Sequence, residues 1–162
     1  MERPVIKKID HEELEACAEL IRESFATVAH DFHLTRENCP TNGAFIDRSH
    51  LESDWNKGNF MFGLYCGQDL TGFVELEKKT PDICELKKLA VRPHDRHLGY
   101  GAALLDFACQ IAKNTSASKI TFGMIEENTV LKRWYQSNGF VHTCIKKFAH
   151  LPFTVGFMEK AI

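Results

Sequence analysis

The chain has no excess of either charge: 20 Lys and Arg stand against 22 Asp and Glu, a formal net charge of −2. That balance offers no bulk attraction to nucleic acid or to an anionic membrane, so neither is expected as a partner and any anion site must be local. No apolar run approaches the length of a membrane span, and the opening MERPVIKKID lacks the apolar core of a signal peptide. The six cysteines (Cys17, Cys39, Cys66, Cys84, Cys109, Cys144) include no C-x-x-C pair, and four lie in apolar runs. They read as reduced, mostly buried thiols, which points to a soluble, cytoplasmic protein. Close-set metal ligands are confined to His30, Asp31 and His33. With no defined partner set elsewhere these read as surface polar groups, and no metal is expected. No internal repeat or low-complexity segment is present. At 162 residues the chain fits a single domain, 1–162, large enough to bury a core without disulfides or metal.

What is present is a succession of short elements. Val5, Ile6 and Ile9 suggest a first strand, and Asp10 with Glu13 three residues on resembles a capping box. Helical spacing of Leu14, Cys17, Ala18, Ile21, Phe25 and Val28 carries the helix that follows to about Ala29. From His30 to Asn59 breakers dominate around one short helical candidate, Asp47 to Trp55. An irregular segment of this length in a small domain is often substrate-facing. Phe60–Cys66 and Leu70–Lys78 form a hairpin, and Thr80-Pro81-Asp82 turns into a third strand, Ile83–Val91. Lys119–Met124 reads as a strand and Glu126–Asn138 as a helix stopped at Asn138-Gly139. Val141–Phe148 and Phe153–Met158 close the order. The expected class is α+β, a mixed, mostly antiparallel sheet with helices on both faces.

The chain is organised around Glu85–Gly101, ELKKLAVRPHDRHLGYG. Here a strand breaks into a charged loop and then into an amphipathic helix whose apolar face is Leu104, Leu105, Ala108, Ile111 and Ala112. The first amides of a helix lack intrahelical partners and carry the positive end of the helix dipole, so an anion docks there. Gly99 and Gly101 would let it approach the backbone, and Arg96 and His97 could add side-chain donors. The competing reading is a plain turn into a helix. A dinucleotide-binding loop fails, because Leu104 stands where G-x-G-x-x-G needs its third glycine, and three antiparallel strands precede it.

Two motifs and the element order resemble the GNAT superfamily of acetyl-CoA-dependent N-acetyltransferases. Leu89-Ala90-Val91-Arg92-Pro93 running into Arg96-His97-Leu98-Gly99-Tyr100-Gly101 is similar to that family's strand and its R/Q-x-x-G-x-G/A pyrophosphate loop. Asn128-x-x-Leu131-x-x-x-Tyr135-x-x-x-Gly139-Phe140 is similar to its N-x-x-A-x-x-x-Y-x-x-x-G-F helix, with Leu131 in place of the usual alanine. The resemblance implies a three-layer α/β/α fold with a strand splayed from its parallel neighbour and a V-shaped cofactor cleft. It implies acetyl-CoA as cosubstrate and an amine acceptor. The backbone of Leu89, Ala90 and Val91 would lie along the pantetheine, with Leu89 and Val91 pairing its amides. Arg96, His97, Leu98, Gly99, Tyr100 and Gly101 would hold the pyrophosphate, and Asn128 and Tyr135 would contact the cofactor.

An alkylammonium, with a pKa near ~10.4, must lose a proton before it can attack a thioester. By resemblance the base is Glu85, against the plain reading of a solvated strand residue, with Glu75 and Glu77 in reserve and a bound water as a further link. Tyr135 would protonate the leaving thiolate, against the plain reading of a core aromatic, and the amide of Val91 could polarise the thioester carbonyl. The Phe32–Phe45 segment and the Lys146–Phe153 turn with His150 would flank the acceptor. No cysteine lies in either motif, so direct attack is expected rather than an acyl-cysteine. A non-catalytic acyl-CoA sensor is the alternative from another class, and a homodimer is left open.

Overall fold

A computed structural model describes residues 3–162. Seven strands form one sheet in the order β1-β2-β3-β4-β5-β7-β6. They are β1 (Val5–Lys8), β2 (Phe60–Cys66), β3 (Asp69–Thr80), β4 (Ile83–Val91), β5 (Lys119–Ile125), β6 (Val141–Lys147) and β7 (Thr154–Ala161). The helices are α1 (Leu14–Asp31), α2 (Arg48–Asn56), α3 (Tyr100–Asn114) and α4 (Thr129–Ser137). Every neighbouring pair is antiparallel except β4 and β5, which run parallel. The expected α+β class, with its mixed and mostly antiparallel sheet, is the one found.

Helix starts follow their side chains. Glu13 Oε1 accepts the Asp10 amide at 3.0 Å ahead of α1, and Asp47 Oδ1 accepts the Ser49 amide at 2.9 Å ahead of α2. The helix expected from Glu126 begins only at Thr129. Asn128 Oδ1 accepts the Leu131 amide at 3.2 Å and acts as its cap, leaving Glu126 and Glu127 in the preceding turn.

Two apolar clusters cover the two faces of the sheet. On one, α3 and α4 bury Leu104, Leu105, Ala108, Tyr135 and Phe140 against Leu64, Val74, Leu76, Leu86 and Phe122. On the other, α1 and α2 bury Leu14, Ala18, Ile21 and Leu51 against Met61, Phe73 and Ala90. Burying side chains of this size contributes about 1.5–3 kcal/mol each. A third cluster joins Ala29, Leu34, Cys39, Phe45, Leu151 and Phe153 to Ile125 at the end of β5. The Phe32–Phe45 segment and the turn before β7 thus pack together over that strand end.

The feature that shapes the site lies between β4 and β5. Their pairing lasts three residue pairs, Ile83–Lys119, Cys84–Ile120 and Glu85–Thr121, after which β5 continues with β7 alone. The two strands therefore part beyond Glu85 and leave a V-shaped gap. On its other edge β4 slips register against β3 between the Phe73–Ala90 and Glu75–Lys87 pairs. Lys88 sits in this bulge at φ +53°, a conformation that a residue with a Cβ pays for in backbone strain.

Candidate active site

Beyond the split, β4 offers backbone to the gap. The Arg92 amide donates to Thr71 O on β3 at 3.0 Å. Backbone groups alternate sides along a strand, so Ala90 also faces β3 while Leu89 and Val91 face the space vacated by β5. The side chains of Leu89 and Val91 lie on the α3 face, and that of Ala90 is buried on the α1 face.

The loop after β4 supplies donors. Arg96 has φ −70°, His97 +66° and Gly99 +86°, with Leu98 not positive, so the sign alternates and the amides curl toward one another. The amides of His97, Leu98, Gly99, Tyr100, Gly101 and Ala102 have no acceptor among the described residues; the Arg96 amide is taken by Pro93 O at 3.3 Å and the Ala103 amide by Gly99 O at 3.0 Å. Six consecutive free donors at the start of a 15-residue helix form a cradle for an anion. The two glycines have different reasons to be there. A Cβ on Gly99 would meet nothing within 4 Å, so that side of the loop is open. A Cβ on Gly101 would lie 3.2 Å from the Trp134 ring, so its smallness lets α4 pack against the start of α3.

Arg96 does not extend its side chain into the cradle. Its guanidinium donates to Ser24 O at 2.8 Å, Ser24 Oγ at 3.3 Å and Thr27 Oγ1 at 3.1 Å, tying the loop to α1. Tyr100 turns its ring toward the core, where its hydroxyl accepts from the Cys66 thiol at 3.5 Å. Leu98 is 61% exposed at the rim.

Tyr135 lies on α4 with its ring 4.2 Å from Phe122 and 4.9 Å from Trp134, centroid to centroid. The residue is 6% exposed, yet its hydroxyl has no hydrogen bond among the described residues and is not sealed from solvent. Burial raises its pKa, so the phenol stays protonated. Asn128 spends its Oδ1 on the α4 cap and keeps its Nδ2 hydrogens for another partner.

Charged residues gather on the α1 and α2 face of β3 and β4. Lys79 Nζ stands 2.9 Å from Glu77 and 3.7 Å from Glu85, and Lys87 Nζ stands 3.0 Å from Glu77. Hydrogen bonds from Lys79 and Lys87 hold the Glu77 carboxyl down to about 2. Glu85 is a third exposed, at the last pair before the strands part. Lys88 reaches Asp54 of α2 at 2.8 Å and the fully buried Glu75 at 3.4 Å. A cavity of about 200 Å³ opens beside them, lined by Thr41, Ile46, His50, Ser53, Asp54, Lys87 and Lys88. Thr41 belongs to the segment expected to flank an acceptor. His50, Ser53 and Asp54 were not singled out by the sequence, although they lie on one helix at spacings that share a face. His150 packs near Phe148, ring centroids 5.8 Å apart, and is not among the lining residues. His30 and Asp31 are exposed and 3.5 Å apart, and among the described residues no three His, Cys, Asp or Glu side chains group as metal ligands. Among the described residues no helix is long and apolar enough to cross a membrane.

A sheet split at one parallel pair, with an anion cradle after the departing strand and a tyrosine packed against β5, fits a transferase of the acyl-CoA-using class. The family model described as the acetyltransferase (GNAT) family matches residues 15–140. An uncharacterised N-acetyltransferase of Lactobacillus delbrueckii subsp. lactis is 23% identical over 164 residues, covering 93% of this chain and 89% of that protein. Among solved structures, the PaiA N-acetyltransferase of Thermoplasma acidophilum in complex with coenzyme A superposes with a TM-score of 0.75 at 23% identity, over 99% of both chains. A GNAT family acetyltransferase from Elizabethkingia anophelis with acetyl-CoA bound gives a TM-score of 0.63 at 19% identity, over 70% of this chain and 82% of that one. The chain belongs to the GNAT acetyltransferase family and is an acetyl-CoA-dependent N-acetyltransferase.

Proposed function

We propose that the protein, acting as one domain in the cytoplasm, moves the acetyl group of acetyl-CoA to a primary amine of a small molecule or peptide by direct attack. The observation that carries this reading is the run of free amides from His97 to Ala102 directly after the strand that parts from β5. Those amides, with Leu98 at the rim, hold the pyrophosphate. Leu89 and Val91 pair the pantetheine amides, and Asn128 adds its Nδ2 donor. Arg96 serves from α1, holding the loop in shape. The residues fit the group: the loop is open at Gly99, where an added Cβ would meet nothing within 4 Å.

The Val91 amide, pointing into the gap, stabilises the oxyanion that forms as the nitrogen adds. Tyr135 then protonates the departing thiolate. The desolvation that raises the phenol's pKa raises that of a thiol leaving beside it, so the transfer stays near balance. The amine's proton goes to a carboxylate on the charged face. Glu85 stands where the strands part, with Glu75 and Glu77 alongside, and Glu77 is the poorest acceptor because two lysines already satisfy it.

The purified protein, mixed with acetyl-CoA and a panel of diamines, amino acids and short peptides, is expected to release free thiol in step with acetylated amine detected by mass. Tight acetyl-CoA binding with no acceptor anywhere in the panel would instead support the non-catalytic sensor.

A further inference from the structure

We infer that Asp54 and Glu75 form a carboxyl pair that receives the acceptor's proton, and that the acceptor docks as an ammonium in the cavity beside α2. The pair rests on the acetyl-transfer reading above and gives it its base. Asp54 is on the cavity wall with its side chain 11% exposed, and Glu75 is behind it, fully buried on β3. One cation joins the two carboxyls, and each bears on the other's ionisation. Lys88 Nζ touches both, at 2.8 Å to Asp54 Oδ2 and 3.4 Å to Glu75 Oε1, and Asn59 Nδ2 donates to Glu75 Oε2 at 2.8 Å.

Every charged neighbour can be named. From α2 come Asp54, Lys57 at 3.9 Å from it, and His50 across the cavity; from β3 comes Glu77; from β4 come Lys87 and Lys88. β2 places Met61 opposite Glu75, and α1 contributes apolar side chains to this face. Burial pushes the Glu75 carboxyl up to about 7, against the pull of Lys88. For Asp54 the same burial is outweighed by hydrogen bonds with Glu75 and Lys88, and its pKa is lowered. Glu75 is therefore the more basic of the two, and Asp54 presents an anionic oxygen to the cavity.

The cavity adjoins Lys87 and Lys88, two and three residues past the last β4–β5 pair and just ahead of the backbone that faces the gap. An ammonium held by Asp54 reaches the gap from the α2 side. With Glu75 ionised, one N–H proton passes to Asp54 and on to Glu75, and the freed lone pair attacks the thioester carbon. The C–N bond forms, the C–S bond breaks, and the thiolate takes the Tyr135 proton. The second proton shed by the nitrogen restores Tyr135, and the first leaves Glu75 for solvent between turnovers. Glu85 is tied to Lys79 outside the cavity and Glu77 to Lys79 and Lys87, and neither carboxylate lines it.

The test measures kcat against pH at saturating acetyl-CoA, using an amine acetylated in the panel. It compares the wild type, Glu75→Gln, Asp54→Asn and Glu85→Gln, and records infrared difference spectra of the carboxyl band without substrate. The wild-type rate is expected to rise with pH through about 7, and a carboxyl band to titrate over the same range. Glu75→Gln should lose that band and shift the rising limb acidward by at least about one unit. Asp54→Asn should lower kcat about 100-fold and raise the amine KM, with acetyl-CoA affinity and thermal unfolding of both variants near wild type. A limb and band untouched in Glu75→Gln, or a limb that follows Glu85→Gln instead, overturns the pair while the transfer reading stands. A wild type that binds acetyl-CoA and acetylates no amine overturns both.

Discussion

Replacing Gly99 by alanine separates the two things that this residue does. At φ +86° it occupies the left-handed region, where adding a Cβ costs about 1–2 kcal/mol of backbone strain. The space that the new methyl enters is empty of protein to 4 Å, so no packing term should add to that cost in the free enzyme. For a chain of 162 residues this corresponds to a fall in Tm of roughly 2–8 °C. On the proposed binding mode the pyrophosphate lies against this stretch of backbone, and a methyl there would compete with it for the open space. Displacing one or two charge-assisted hydrogen bonds, each contributing about 1.5–3 kcal/mol, should weaken binding by about 2–4 kcal/mol, or roughly 30- to 1000-fold. Calorimetric titration with acetyl-CoA and a thermal scan of the free protein measure the two effects separately. A Gly99→Ala protein with lowered Tm and undiminished affinity would refute the cradle, because the phosphates would then not approach this stretch of backbone.

Tyr135→Phe removes a hydroxyl that has no partner among the described residues, so unfolding and acetyl-CoA affinity should be nearly unchanged while kcat drops about 100-fold; stopped-flow thiol release reports the drop, and an unaltered rate would remove the phenol from proton transfer. Arg96→Ala deletes three hydrogen bonds to Ser24 and Thr27 on α1. It should raise the acetyl-CoA Kd about tenfold while leaving kcat at saturation close to wild type, whereas a collapse of kcat alone would mean that the arginine acts on the chemistry instead.

Much of the frame was legible because local chemistry writes it. Asp10 with Glu13, Asp47, and Asn138-Gly139 mark helix ends wherever the chain is placed, and the hairpins follow from period-two apolar runs separated by turn residues. The cradle was legible for the same reason, since free amides and glycines belong to one contiguous stretch. What could not be read there depends on pairs distant in sequence. Nothing in Leu86 to Val91 announces that β5 leaves after Thr121, or that a lysine at 88 adopts φ +53° where glycine or asparagine would be the usual signal. Gly101 was expected to admit phosphate, yet its neighbour is Trp134, 33 residues on, and the motif residue Arg96 binds α1 instead of facing an anion. Asp54 was passed over because a lone aspartate on a short polar helix looks solvated. Its partner Lys88 lies 34 residues away, and only the folded sheet brings them together.

The three-pair seam between β4 and β5 also bears on how the enzyme survives in the cell. An open seam leaves strand edges with unsatisfied backbone inside the sheet, the kind of surface on which foreign strands pair and aggregation begins. On the proposed binding mode a pantetheine arm along Leu89 and Val91 would take the place of the missing strand. At an acetyl-CoA concentration of 100 Kd, occupancy adds about 2.7 kcal/mol to the folded state. On that binding mode the pool of its own substrate would act as a chaperone for the protein, and its abundance should follow the supply of acetyl units.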